Sequence, residues 1–184
     1  YRTYMSGKWH VTRFMEMGED NAQWPVQRGF EKFYGTLKGS GSFYDPSSLC
    51  RQNQHITPAN DPEYQPATFY YTDAITDNAV RYLQQHQRES PRQPFFLYLA
   101  HMHVHLPLIV ARRFLDQAQN GAYGAAVECI DWSLAALQAE LRRLDLDRRT
   151  LIVFTSDNGG KAINGGSNAP LRGTKATTWE GGQR

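Results

Sequence analysis

The sequence of 184 residues lacks an excess of charge of either sign, a cysteine framework and a long hydrophobic run. Lysine and arginine total 20 against 18 aspartate and glutamate residues, which argues against a protein that binds nucleic acid through bulk positive charge. The longest apolar runs, such as residues 95–100, are far too short to cross a bilayer, so we expect no membrane span. What remains is the composition of an ordinary globular protein, with 40% hydrophobic and 21% charged residues.

The sequence has only two cysteines and lacks the common glycine-rich nucleotide-binding motifs. The two cysteines, Cys50 and Cys129, have no Cys-x-x-Cys spacing, and one disulfide or two free thiols are both compatible with the sequence. Neither a Walker A motif nor a Gly-x-Gly-x-x-Gly motif is present.

The chain starts at Tyr1 without a signal peptide and ends after a glycine-rich motif. We therefore expect it to be an internal piece of a longer protein.

Hydrophobic periodicity predicts two helices. Over residues 73–88, Ile75, Ala79 and Leu83 recur every four residues, and Thr72 or Asp73 is expected to cap the start. Residues 122–144 carry a longer apolar stripe at helical spacing. Its members are Ala126, Val127, Ile130, Leu134, Leu137, Leu141 and Leu144.

Two continuous apolar runs, residues 95–100 and 151–155, predict strands that are buried on both faces. A strand, a helix and a strand in this order form a βαβ unit. The predicted fold class is therefore α/β, with a mostly parallel sheet flanked by helices.

Three other segments have weaker patterns. Residues 1–5 are predicted to end a helix, with Gly7 as its stop. Residues 45–68 contain four prolines among polar residues and predict a surface loop. Residues 157–184 are rich in glycine and have no periodicity, which is typical of a long functional loop.

Polar groups follow both predicted strands, and the carboxyl ends of parallel strands meet at one edge of a sheet. Asp157 and Asn158 offer a carboxylate and an amide oxygen, which suit Ca²⁺ or Mg²⁺, although an Asx turn uses the same residues. His101, His103 and His105 alternate after the first strand. They are compatible with a zinc or copper triad, with a single functional histidine, or with histidines that pack in a loop.

Two further places carry a cation. Lys8 and His10 combine a fixed charge with a titratable ring, which suits an anionic substrate, although a solvated lysine beside a packed Trp9 is the alternative. Lys175 lies among small residues, where its ammonium group could approach an anion closely. A flexible surface loop has the same composition.

Five segments, taken in order, resemble the motifs of the sulfatase family, in the arylsulfatase-like branch of the alkaline-phosphatase-type fold. The segments are 1–10 with its Gly-Lys-Trp-His ending, 28–35, 105–107 with His-Leu-Pro, 157–159 with Asp-Asn-Gly, and 171–182. Their order and spacing extend over nearly the whole chain. The resemblance implies that residues 1–184 are the central part of one sulfatase catalytic domain, truncated at both ends.

The resemblance implies a sulfuric ester hydrolase that cleaves a sulfate monoester. Lys8 and His10 would contact the sulfate and a hydrated formylglycine nucleophile. His105 and Lys175 would bind sulfate oxygens and stabilise or protonate the leaving oxygen. The implied substrate is a sulfated small molecule or glycan, and the implied location is periplasmic, secreted or lysosomal.

The resemblance also implies a metal site, in which Asp157 and Asn158 would bind Ca²⁺, with Mg²⁺ as the alternative ion. Cys50 does not stand in the Cys/Ser-x-Pro-x-Arg motif that becomes formylglycine. The nucleophile and the remaining metal carboxylates are therefore expected upstream of Tyr1, and the chain alone is predicted to be inactive. Thr174 and Ala176 stand where the family commonly has glycine, which predicts a stiffer loop.

Three alternatives stay open at this point. A metal-dependent phosphatase or phosphodiesterase of the same fold would have a different nucleophile upstream. A zinc hydrolase would use the three alternating histidines. A sulfatase-like domain without a nucleophile would bind sulfated ligands without turnover.

Overall fold

A computed structural model describes residues 1–16, 18–162 and 165–183. The chain divides into two compact units, residues 1–147 and residues 148–184. The first unit contains the sheet and the long helices, and the second is a short unit rich in glycine.

The first unit is built on a five-stranded sheet with the strand order β4-β3-β2-β1-β5. The strands are β1 (Arg2–Gly7), β2 (Lys32–Thr36), β3 (Leu49–Arg51), β4 (Gln54–His55) and β5 (Phe95–Ala100). Strand β1 pairs in parallel with both β2 and β5, whereas β3 pairs antiparallel with β2 and β4. The α/β class is confirmed, and the sheet is mixed.

Two long helices cover one face of the sheet. The helices are α1 (Tyr71–Glu89), α2 (Arg112–Leu115), α3 (Gly121–Arg143) and α4 (Glu180–Gln183), and 3-10 helices span Pro25–Arg28 and Asp147–Arg149. In the core, Ala79 and Leu83 of α1 pack with Leu137 and Leu141 of α3. Both predicted helices are therefore confirmed, and they pack on each other through apolar positions that predicted them.

The N-terminal cap of α1 and the burial of α3 differ from the prediction. Helix α1 begins after Tyr70, without a side-chain cap from Thr72 or Asp73, because Thr72 is itself buried inside the first turn. In α3, Val127 is 48% exposed although it belongs to the predicted stripe. The stripe is wider than the face that packs on α1 and the sheet.

The prediction for the first residues was wrong, because they form the inner strand β1, between β2 and β5, rather than the end of a helix. Tyr4, Met5 and Ser6 in succession are buried, since both faces of β1 are covered. The loop predicted over 45–68 also contains structure, because β3 and β4 pair within it. Both strands are too short to show a period of two.

Strand β5 is confirmed in position but not in burial. Phe95, Leu97 and Leu99 pack into the core, whereas Phe96 and Tyr98 on the opposite face are 52% and 46% exposed. Strand β5 is therefore buried on one face only.

The second predicted strand does not form. Residues 151–155 pair with no strand in the part of the chain that the structure describes. Leu151 and Val153 are 87% and 75% exposed. Apolar character alone cannot make a strand, since the main-chain groups of a strand need a neighbouring strand as a partner.

The structure shows the state of the two cysteines, which the sequence left open. Cys50 and Cys129 are both buried, free thiols, and burial raises the pKa of Cys50 to about 12. Within the ranges that the structure describes, no helix is both long and apolar enough to cross a membrane.

Candidate active site

Lys8 lies at the carboxyl edge of the parallel strands. Its N–H donates to the carbonyl oxygen of Ala100, the last residue of β5, at 2.8 Å. The N–H of Trp9 donates to the carbonyl oxygen of Thr36, the last residue of β2, also at 2.8 Å. The chain therefore leaves β1 across the ends of both neighbouring strands, which is where open parallel sheets bind ligands.

His10 is held in an unusual main-chain conformation beside this edge. Its φ is +55°, a region that few non-glycine residues adopt and that is enriched at functional sites. Its N–H donates to the carbonyl oxygen of Leu37 at 3.1 Å. A Cβ added to Gly39 would lie 2.2 Å from Nδ1 of His10, so only glycine allows the chain to pass this close to the ring.

Trp9 packs between these two polar residues. Its indole N–H donates to the carbonyl oxygen of Gln23 at 2.8 Å, and its ring meets the edge of Phe30 at 6.1 Å. The packed tryptophan that the sequence analysis allowed is present. It anchors the segment from which Lys8 and His10 project.

The three alternating histidines do not converge. Strand β5 ends at Ala100, so the alternation of a strand does not extend through them. Nε2 of His101 lies 2.9 Å from Oγ of Ser133 on α3. The ring of His103 stacks on Phe43 with a centroid distance of 4.2 Å. The zinc triad is contradicted, since the described residues contain no group of three or more metal-binding side chains of the His, Cys, Asp and Glu types.

His101 and His103 are uncharged at neutral pH. Burial lowers the pKa of each to about 4, from an ordinary value of 6.5. For His103 the neighbouring His101 lowers it further. Their surroundings are those of packed histidines.

His105 differs from His103, because the His105 side chain is not fully buried. Its Nδ1–H donates to the carbonyl oxygen of Leu106 at 2.7 Å. A carbonyl oxygen can only accept, so Nδ1 carries a proton and Nε2 is the ring nitrogen that can exchange one.

Residues 39–45 contact both histidine segments of the first unit. Gly39 lies against His10, and Phe43 lies against His103, two residues before His105. This loop therefore joins the two places where the first unit presents polar side chains at the sheet edge.

In the second unit, the turn that carries Asp157 and Asn158 is fixed by its following glycines. The N–H of Gly159 donates to the carbonyl oxygen of Gly182 at 3.1 Å. The N–H of Lys175 donates to the carbonyl oxygen of Gly160 at 3.1 Å. The predicted metal pair and the predicted lysine thus lie on segments that are hydrogen-bonded to each other.

A sequence model of the family described as Sulfatase matches residues 1–184. The chain belongs to the sulfatase family. Mouse arylsulfatase J is 33% identical over 195 residues, which cover 100% of this chain and 31% of that protein. Mouse N-acetylgalactosamine-6-sulfatase is 32% identical over 197 residues, which cover 100% of this chain and 36% of that protein. The chain thus spans about a third of the length of these relatives.

Solved structures agree with this family. The chain resembles Ps i-CgsB, solved in complex with k-i-k-neocarrahexaose, with a TM-score of 0.79, 29% identity, and coverage of 100% of this chain and 43% of that one. It resembles the PsFucS1 sulfatase from Pseudoalteromonas sp. with a TM-score of 0.74, 25% identity, and coverage of 99% and 40%. The predicted sulfatase-like fold is confirmed.

Sulfatases generally use Ca²⁺, and the donor chemistry of the turn fits this ion in part. Asp157 is exposed and Asn158 is half-buried, and they present a carboxylate and an amide oxygen on adjacent residues. Calcium takes six to eight oxygen ligands. This pair could therefore hold a calcium ion only together with further oxygen ligands.

Two residues near the sulfatase motifs were missed by the sequence analysis. Tyr70 bonds to His103, and Asn168 bonds to Gly160. No local signal identifies them, because their hydrogen-bond partners lie 33 and 8 residues away in the sequence.

Proposed function

We propose that the protein that carries this chain hydrolyses a sulfate monoester to an alcohol or phenol and inorganic sulfate. The main support is the placement of Lys8 and His10 across the carboxyl ends of β2 and β5, at the edge from which the His105 segment also leaves. A cation and a titratable ring at such an edge suit a tetrahedral anion.

Each side chain has a role that its chemistry allows. Lys8 would hold a sulfate oxygen by charge, and His10 would donate to the sulfate or to the attacking group. His105 would give or take a proton at Nε2, because Nδ1 is committed to the carbonyl oxygen of Leu106. Lys175 would offset the negative charge that develops on the leaving oxygen.

Asp157 and Asn158 would bind calcium through their side-chain oxygens. The chemistry that calcium supplies when bound is polarisation of the sulfuryl oxygens. The nucleophile, a formylglycine, is expected outside this chain. The prediction that residues 1–184 alone are inactive follows from that expectation.

The substrate class is part of the proposal. A sulfated glycan is supported by the names of the relatives, one of which is an N-acetylgalactosamine-6-sulfatase, and by a structural neighbour solved with a neocarrahexaose. A sulfated small molecule is the alternative. A periplasmic, secreted or lysosomal location stays a prediction from the family.

The test compares 4-nitrophenyl sulfate with 4-nitrophenyl phosphate as substrates of the full-length protein. We expect hydrolysis of the sulfate and little of the phosphate. Preference for the phosphate would establish the phosphatase alternative. Sulfate binding without turnover would establish a domain that has no nucleophile.

Variants assign the activity to the proposed residues. Lys8→Ala and His10→Ala should each lower kcat/KM roughly 100-fold or more, as expected for groups that stabilise transition-state charge. Lys32→Ala is the matched control, because Lys32 begins β2 and lies at the opposite edge of the sheet. Equal activity of all three variants would contradict the assignment.

A further inference from the structure

The main chain of Gly160 is paired with a single side-chain amide. Its N–H donates to Oδ1 of Asn168 at 2.7 Å, and its carbonyl oxygen accepts from Nδ2 of the same side chain at 2.8 Å. Nδ2 also lies 3.3 Å from the carbonyl oxygen of Gly173. The Asn168 amide therefore joins the turn after the metal pair to the start of the lysine loop.

Thr174 adds a second side-chain link to the same point. Its hydroxyl donates to the carbonyl oxygen of Gly160 at 2.7 Å and accepts from the N–H of Ala162 at 3.1 Å. The main-chain N–H of Lys175 donates to that carbonyl oxygen as well. One oxygen thus accepts from three donors, although it has two lone pairs. Such a crowded acceptor leaves little room for the lysine loop to shift.

The links connect two parts of the proposed site. Gly160 follows the Asp157-Asn158 pair directly after Gly159, and Lys175 follows Thr174. A displacement of the Gly160 carbonyl would move the metal pair and the lysine main chain together. The hydroxyl of Thr174 also gives a physical reason for the stiffer loop that the sequence predicts at this position.

We propose that Asn168 and Thr174 are positioning residues that fix Lys175 relative to the Asp157-Asn158 pair. They act through the Gly160 main chain and have no direct contact with substrate in this mechanism. The proposal rests on the function proposed above for Lys175 and the metal pair. Positioning of this kind is effective because a misplacement of about 1 Å can cost roughly 100-fold in rate.

The first test uses Thr174→Val in the full-length protein, which removes the hydroxyl but keeps the side-chain shape. We expect about a tenfold larger loss of kcat for an alkyl sulfate than for 4-nitrophenyl sulfate. The reason is that Lys175 offsets charge on the leaving oxygen, and a poor leaving group needs this more. Thr174→Ser, which keeps the hydroxyl, should restore the parent ratio.

Thr178→Val is the matched control, because Thr178 is exposed in the same loop. It should leave the leaving-group dependence unchanged. An equal loss on both substrates in Thr174→Val, or no loss, would overturn the positioning role of Thr174. A purely structural role would lower the melting temperature without changing the ratio between the two substrates.

The second test measures calcium affinity by titration calorimetry, independently of activity. Asn168→Ala should weaken the binding of Ca²⁺ roughly tenfold, as is typical for residues that orient metal ligands. Unchanged affinity, equal to that of Thr178→Val, would overturn the role of Asn168.

The two measurements separate this proposal from the proposed function. If the parent protein hydrolyses sulfate esters and both positioning variants behave like Thr178→Val, the function stands and the positioning role is wrong. If the parent shows no sulfatase activity but Asn168→Ala weakens calcium binding, the proposed function is wrong and the coupling of Asn168 to the metal pair stands.

Discussion

The hydroxyl oxygen of Tyr70 lies 2.8 Å from Nε2 of His103. The same hydroxyl donates to the carbonyl oxygen of Ile109 at 3.2 Å. One side chain at the start of α1 therefore holds the chain on both sides of His105. Burial keeps this hydroxyl protonated, because it raises the pKa of Tyr70 far above its usual value.

Tyr70→Phe removes both of these hydrogen bonds. We expect the free energy of unfolding to fall by about 1–3 kcal/mol, because the buried partners lose a hydrogen bond without regaining water. Urea denaturation of the parent and the variant measures the difference. Tyr44→Phe is the control, since Tyr44 is 44% exposed whereas Tyr70 is 2% exposed, and an equal effect of both substitutions would contradict the prediction.

Stability should depend on pH through His101 and His103. Each has an ordinary pKa of 6.5 when unfolded and about 4 when folded, so the unfolded chain binds more protons between these values. The free energy of unfolding should therefore fall as the pH is lowered from about 6.5 towards 4.

Denaturation at several pH values above 5, where carboxylates contribute less, isolates the histidine effect. His101→Gln and His103→Gln should each flatten the dependence between pH 6.5 and 5, because glutamine does not titrate. A dependence as steep as that of the parent in both variants would show that other groups are responsible.

Arg51 and Asp61 form a buried ion pair in the first unit. Nε and one terminal nitrogen of the guanidinium donate to the two carboxylate oxygens at 2.9 and 2.8 Å, and the side chains are only 9% and 1% exposed. Asp61→Asn leaves the buried guanidinium with only the longer ion pair to the exposed Glu63, at 3.2 Å, and should cost about 3 kcal/mol of unfolding free energy. Asp73→Asn breaks the exposed pair with Arg113 and should cost less than about 1 kcal/mol.

Chemical denaturation of the two variants checks this contrast. Equal costs would mean that the Arg51 pair is no more desolvated than a surface pair.

Gly159 should tolerate no side chain. A Cβ at this position would lie 1.9 Å from the carbonyl oxygen of Gly181, a main-chain atom that cannot move aside alone. Gly159→Ala should break the hydrogen bond to Gly182 and speed amide hydrogen exchange over residues 171–182. Gly41→Ala, where an added Cβ meets nothing within 4 Å, should leave exchange unchanged, and slow exchange in both variants would contradict the prediction.

The sequence predicts the elements that have a long helical repeat or clear boundary residues. Helices α1 and α3 each repeat their apolar positions over several turns, and β5 lies between proline and histidine signals. Strand β1 is not predicted from the sequence, because both of its faces are covered. Tyr4 and Met5 are therefore both buried, and the strand has no alternation of apolar and polar residues. Residues 151–155 are predicted as a strand that does not form, since an apolar run does not show whether a neighbouring strand is available for pairing.

The candidate site shows the same division. Lys8, His10 and Lys175 are proposed as site residues because they stand in motifs that are contiguous in the sequence. Tyr70 and Asn168 were not found, because a hydrogen bond to a residue many positions away leaves no local pattern. Sequence motifs identify the groups proposed to touch substrate, and the structure adds the groups that hold them.

The parallel pairing of β1 with β5 affects the order of events during synthesis. Arg2 pairs with Phe95 and Gly7 pairs with Ala100, so during synthesis β1 waits for a partner strand about 90 residues later in the chain. At roughly 5–20 residues per second, that wait lasts on the order of 5–20 s on the ribosome. Lys8 cannot donate to Ala100 before then. The edge that carries Lys8 and His10 is therefore completed late in the translation of the first unit, after β2 is already available.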